Sequence, residues 1–161
     1  PRIYDAFLGA YADGVHFQHG HTFGGNPLAA AAALASLDIF AEGRMLEDAL
    51  PRKVSRLAAA LAPVADLPHV GDVRQLGLMA GIELVADRGT GRPFPAGERR
   101  GYRVCRRATA SGVWLRPLGD VIVVMPPLAV ADSEIAHLAR VLAESLQAEF
   151  AGSAPAAPQA D

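Results

Sequence analysis

His19-Gly20-His21-Thr22-Phe23-Gly24-Gly25-Asn26-Pro27, running into the alanine-rich segment 28–40, is the stretch that decides how this 161-residue chain is read. It joins a glycine-loosened loop to a helix start with explicit chemistry. Asn26 is a preferred N-cap, because its side-chain oxygen can accept an orphan N–H of the first turn. Pro27 suits the first helical position, where its missing N–H would have had no partner and its φ is already helical. The alanines at 29–33 add helix propensity and a thin profile. Gly43 supplies a stop directly after Glu42.

The loop itself admits two readings. Gly20, Gly24 and Gly25 let backbone amides turn toward a ligand, while Thr22 offers a hydroxyl and His21 a second polar group, which suits a phosphate or carboxylate. A capped surface turn leading into a core helix accounts for the same residues, and local pattern leaves both open.

Composition bounds the function classes. With 51% hydrophobic and 20% charged residues the chain is globular in character. Its most apolar stretch, 28–37, is too short to span a bilayer, and the N-terminus lacks a basic region followed by an apolar core, so no membrane role is expected. A formal net charge of -2 gives no electrostatic reason for nucleic-acid binding. Arg99, Arg100, Arg103, Arg106 and Arg107 do cluster, and their spacing reads as one solvated helix face. Cys105 is the sole cysteine, which excludes an intramolecular disulfide and fits a reducing cytoplasm. His16, His19 and His21 lack the spacing and carboxylate neighbours of a metal site, so no metal is expected. The glycine runs 77–81 and 89–91 are not a dinucleotide fingerprint, and there is no P-loop or nucleophile elbow.

The second half reads as α/β. A helix over 50–62, closed by Pro63, precedes a strand ending at Gln75, a glycine turn and a second strand over 78–84. A Gly/Pro-rich loop over 87–97 leads to a helix over 98–111 stopped by Gly112. Residues 113–116 and 121–125 flank Pro117-Leu118-Gly119-Asp120 and are expected to form a hairpin ending at Pro126-Pro127. Asp132 is expected to cap a last amphipathic helix with apolar positions Ile135, Leu138, Val141, Leu142 and Leu146. Residues 151–161 read as a disordered tail.

Arg116 stands out, at the end of an apolar strand-like segment and beside rigid Pro117. Its planar fork could grip a carboxylate bidentately. A structural salt bridge on a sheet edge would explain it equally.

Three ordered blocks then carry a resemblance: 19–27, 72–84, and 112–117 running into Met125-Pro126-Pro127. Together they resemble the C-terminal part of the class III aminotransferases that depend on pyridoxal 5'-phosphate. Within that class the wording of 113–117 and 125–127 is most similar to the 8-amino-7-oxononanoate aminotransferases of biotin synthesis. Omega-amino acid and amine:pyruvate aminotransferases share a run much like 116–120.

The resemblance implies the end of the large domain of a fold-type I enzyme over 1–43, a small α/β domain over 44–150 and the tail. It implies a cytoplasmic homodimer acting on small molecules, a keto-amino acid and an amino donor, either S-adenosylmethionine or lysine. Thr22 matches the threonine that reaches the partner subunit's cofactor phosphate, with His21 beside it. Gly20 matches a backbone position near the substrate, and Arg116 the arginine that holds the substrate carboxylate. Val123 departs from the pattern, standing where some relatives carry a tyrosine that helps shape the site.

A larger departure concerns the lysine that carries the cofactor. Lys53 is the sole lysine, on a helix away from the glycine loop. The Schiff-base lysine of relatives lies a short way upstream of the threonine, which would place it before Pro1. The chain is therefore expected to be a C-terminal fragment with no catalytic residue of its own, inactive alone. The alternative in another class is a noncatalytic binding or oligomerisation module.

Overall fold

The computed structural model describes residues 2–17 and 19–151. Residues 152–161 of the expected tail lie outside that range. The chain divides into two compact units, Pro1–Glu42 and Gly43–Asp161.

In the first unit a short helix α1, Arg2–Asp5, and a 3-10 turn, Tyr11–Asp13, precede the loop and helix α2, Pro27–Glu42. The expected cap is present: Asn26 Oδ1 accepts the N–H of Leu28 at 2.9 Å and of Ala29 at 3.3 Å. The helix ends before Gly43, as expected, but the left-handed φ of 45° that follows falls on Arg44 and not on the glycine. α2 is apolar nearly all round, yet none of its residues is buried. A helix of that composition ordinarily sits in a core.

The second unit is a four-stranded antiparallel sheet with helices on one face. Its strands are β1, Val70–Leu76; β2, Met79–Leu84; β3, Arg116–Leu118; and β4, Val121–Val124, in the order β1-β2-β4-β3. β1 and β2 form a hairpin in which Leu76 pairs with Met79, and Gly77 takes a left-handed φ of 60° that glycine alone adopts without strain. Helices α3, Leu50–Leu61, α4, Arg100–Ala110, and α5, Asp132–Phe150, supply the cover, with α5 packed on both others.

The two-residue period of the strands explains which face is covered. Ala80, Ile82 and Leu84 point one way with Ile122 and Val124, and all are buried with Leu57, Leu61, Val104, Leu142 and Leu146. The residues between them point the other way. Among these, Leu76 is 80% exposed and Leu118 56%. Among the described residues no helix is long and apolar enough to cross a membrane.

Three expectations need correction. The first arm of the second hairpin starts at Arg116 rather than ending there, and Pro117 lies within the strand. β3 is an edge strand, where a residue without an N–H is tolerated. Val113 and Leu115 are buried but belong to an extended approach, not to the ladder. Asp132 occupies the first helical position, and the N-cap is Ala131, whose N–H is taken by Glu134 Oε2 at 2.7 Å. Asp132 instead pairs with Arg56 on α3, at 3.1 Å. The third helix starts two residues late, because 96–98 form a 3-10 turn and Arg99 takes a φ of 51°.

Candidate functional site

Residues of interest occur in both units, each with its own local geometry. In the first unit Gly20, His21 and Thr22 are exposed in the loop before α2. Two turns shape that loop, closed by Gly24 N–H to His21 O at 2.9 Å and Asn26 N–H to Phe23 O at 3.2 Å. Gly25 sits at the left-handed φ of 79°, which turns the backbone into α2. The His19 and His21 rings meet edge to face with centroids 5.1 Å apart.

The cap also limits how an anion can be held here. Asn26 occupies the N–H groups of Leu28 and Ala29, so the start of α2 is already satisfied by its own chain. The Thr22 hydroxyl remains, with no hydrogen-bond partner among the described residues. A hydroxyl on a tight turn, beside glycines that admit close approach, is chemically suited to a phosphate oxygen, to which it would donate one hydrogen bond, leaving the other oxygens for groups beyond this loop.

In the second unit Arg116 opens the edge strand. Its register partner is Val123, in the row that continues to Gly81 and Arg74. The four residues therefore emerge on the uncovered face. Arg74 on that face is already paired with two carboxylates: its Nη1 lies 3.0 Å from Asp72 and 2.6 Å from Glu83, which raises its pKa, the bond to Glu83 contributing most. Arg116 is exposed and makes no ion pair among the described residues. Of the two readings of this arginine, the sheet-edge salt bridge thus has no partner here. Arg116 borders a groove of about 450 Å³ shared with Tyr102, Arg106, Thr109 and Trp114. Trp114, two residues earlier, is 85% exposed.

Lys53 has a different task. Its Nζ donates to the carbonyl oxygen of Leu128, tying α3 to the loop before α5. Cys105 is buried in the core, and desolvation pushes its thiol up to about 11, so it is protonated and inert near neutrality.

The arginine-rich helix is not merely a solvated face. Arg100 Nη1 lies 2.9 Å from Glu149 Oε1, Arg103 Nε 2.8 Å from the same oxygen, and Arg107 Nε 3.1 Å from Oε2. The Glu149 side chain is fully buried beneath them. Burial works against the charge on Arg100, but its bonds to Glu98 and Glu149 outweigh that and raise its pKa. A sequence signal for this cluster existed. Glu149 continues the buried stripe 135, 142, 146 of α5 at helical spacing, and a carboxylate on such a stripe needs cationic partners.

The adenosylmethionine-8-amino-7-oxononanoate aminotransferase of Nitratidesulfovibrio vulgaris is 58% identical over 136 residues, covering 84% of this chain and 25% of its own length. The crystal structure of the enzyme of that name from Methanocaldococcus jannaschii superposes with a TM-score of 0.79 at 41% identity, covering 91% of this chain and 33% of that one. An omega transaminase from Pseudomonas jessenii, solved in complex with PMP, gives a TM-score of 0.79 at 32% identity, covering 91% and 32%. The chain thus spans a quarter to a third of the length of these relatives. The family model described as aminotransferase class-III matches residues 3–146, nearly the whole described chain, and on that match this protein belongs to the class-III aminotransferases.

Proposed function

We propose that this chain is the C-terminal part of a pyridoxal 5'-phosphate-dependent aminotransferase of biotin synthesis. The complete protein converts 7-keto-8-aminopelargonate (8-amino-7-oxononanoate) to 7,8-diaminopelargonate, with S-adenosylmethionine as amino donor. The observation that carries the reading is the 58% identity over 136 residues to a relative bearing that name, within a chain whose class-III match over residues 3–146 takes in both the loop and Arg116.

The cofactor, when bound, supplies an electron-withdrawing ring that stores charge during amino transfer. The residues of this chain bind and orient. Thr22 donates its hydroxyl to a phosphate oxygen of the cofactor held by the partner subunit in a homodimer, and His21 flanks it. Gly20 leaves the backbone open where the substrate passes. Arg116, held on the ladder yet free of a protein carboxylate, takes the substrate carboxylate through its planar fork. The exposed apolar surface of α2 supports burial of this helix in the assembled enzyme. The lysine that carries the cofactor lies outside these 161 residues, in keeping with the commitment of Lys53 to Leu128. Cytoplasmic residence accords with a single protonated thiol.

Val123, directly across from Arg116, stands where some biotin-pathway relatives carry a tyrosine, and this departure bears on the donor, S-adenosylmethionine or lysine. A second reading is favoured by the fold, which matches an omega transaminase with the same TM-score of 0.79. The test is a half-reaction assay on the complete protein, following cofactor absorbance with S-adenosylmethionine, lysine or a simple amine as donor. Conversion by S-adenosylmethionine and recovery only with 7-keto-8-aminopelargonate is the expected result; conversion by lysine would keep the acceptor and replace the donor. Conversion only by a simple amine, with recovery by pyruvate, would move the protein to the omega-aminotransferases.

A further inference from the structure

The charges around Glu149 do not balance. Its two oxygens face Arg100, Arg103 and Arg107, and Arg100 is also paired with Glu98 at 2.7 Å. Arg106, one turn from Arg103, makes no ion pair among the described residues. Four guanidinium groups are thus served by two carboxylates. Like charges at helical spacing of three and four repel; solvent screens part of that repulsion at these half-exposed side chains, and a bound anion would offset the excess directly.

The orientation of these groups is as telling as their number. Arg103 and Arg107 turn their Nε toward the buried carboxylate, which fixes both side chains and leaves their terminal nitrogens without another acceptor among the described residues. Arg103, Arg106 and Arg107 border an open cleft of about 350 Å³, with Ala110 and Glu149 completing its lining. Ala110 keeps that wall low, and among the described residues no aromatic ring lines the cleft.

We propose that this cleft of α4 and α5 binds a phosphate-type polyanion, with Arg103, Arg106 and Arg107 as its ligands and buried Glu149 as the group that positions two of them. Guanidinium forks match the oxygens of a phosphate, and an excess of two positive charges suits a group carrying at least two negative ones. Without an aromatic wall there is nothing for a base to stack on. The phosphate group itself is what the cleft reads, whether free or at the end of a nucleotide.

The test is calorimetric titration of the intact protein, carrying pyridoxal phosphate with the excess removed, using inorganic pyrophosphate and ATP at fixed ionic strength. Arg106→Glu is the informative variant, since Arg106 is exposed and outside the Glu149 network. Arg52→Glu makes the same charge change at an exposed position on α3. Pyrophosphate is expected to bind and to compete with ATP. Arg106→Glu should weaken both about tenfold or more, with its melting temperature unchanged, while Arg52→Glu leaves both alone. An absence of binding, an equal loss in the two variants, or ATP binding that pyrophosphate does not displace would each overturn the proposal.

Discussion

Arg116 stands directly across from Val123 in the antiparallel ladder of β3 and β4, on the sheet face opposite helices α3, α4 and α5 of its own unit. The guanidinium has no protein carboxylate beside it among the described residues, and the residue opposite is small and apolar. An anion arriving there meets a charge already held in place by the strand and by rigid Pro117.

In the complete protein, Arg116→Ala is expected to raise KM for the keto acid roughly 30-fold or more, the lower end of the ~2–5 kcal/mol lost when a buried charge pair is truncated. The donor half-reaction should be unaffected. Stopped-flow measurement of the two half-reactions separates the outcomes, and equal impairment of both would remove the carboxylate clamp from the mechanism.

Glu149→Gln is expected to destabilise the second unit by about 3 kcal/mol, since three guanidinium groups lose the buried carboxylate that they surround. Urea unfolding should show a lower midpoint with an unchanged slope. A midpoint within error of the parent would mean that solvent compensates the arginines fully.

Gly101→Ala tests the contact that sets α4 against the β3–β4 turn. The Gly101 N–H donates to Asp120 Oδ1 at 2.8 Å, and an added Cβ would lie 2.5 Å from Gly119 O. Both neighbours belong to a backbone turn that cannot simply swing away. A loss of about 1–3 kcal/mol is expected from overpacking, read as a lower melting temperature.

The buried Cys105 thiol makes stability fall at high pH. Its folded pKa is raised by desolvation to about 11 from 9.0, so the folded state holds the proton more tightly than the unfolded chain does. Its contribution is complete below about pH 9 and is lost as pH rises toward 11, roughly 3 kcal/mol in all. Cys105→Ala should flatten that part of the stability profile. Iodoacetamide should label the parent only slowly at pH 8.

Some elements were legible because their causes are local. Asn26 and Pro27 start α2 by capping chemistry that acts within a few residues, and Gly77 marks the β1–β2 turn because the left-handed conformation excludes most side chains. The glycine loop with Thr22, and Arg116 beside Pro117, could likewise be singled out from residue type and spacing.

Other features depended on partners distant in the chain. Arg116 starts β3 instead of ending a strand because pairing with Val123 sets the register, and hydrogen bonding across a hairpin is not written in either arm alone. The arginines of α4 read as solvated until α5 brings Glu149, 42 to 49 residues away, beneath them. Thus the sequence by itself determined the start of α2 and the tight turn at Gly77, and it marked out the groups proposed to bind, where short-range sterics and capping decide. Only the tertiary structure decided which sheet face stays open and which charges meet, because burial and Coulomb attraction depend on distance in space, not along the chain.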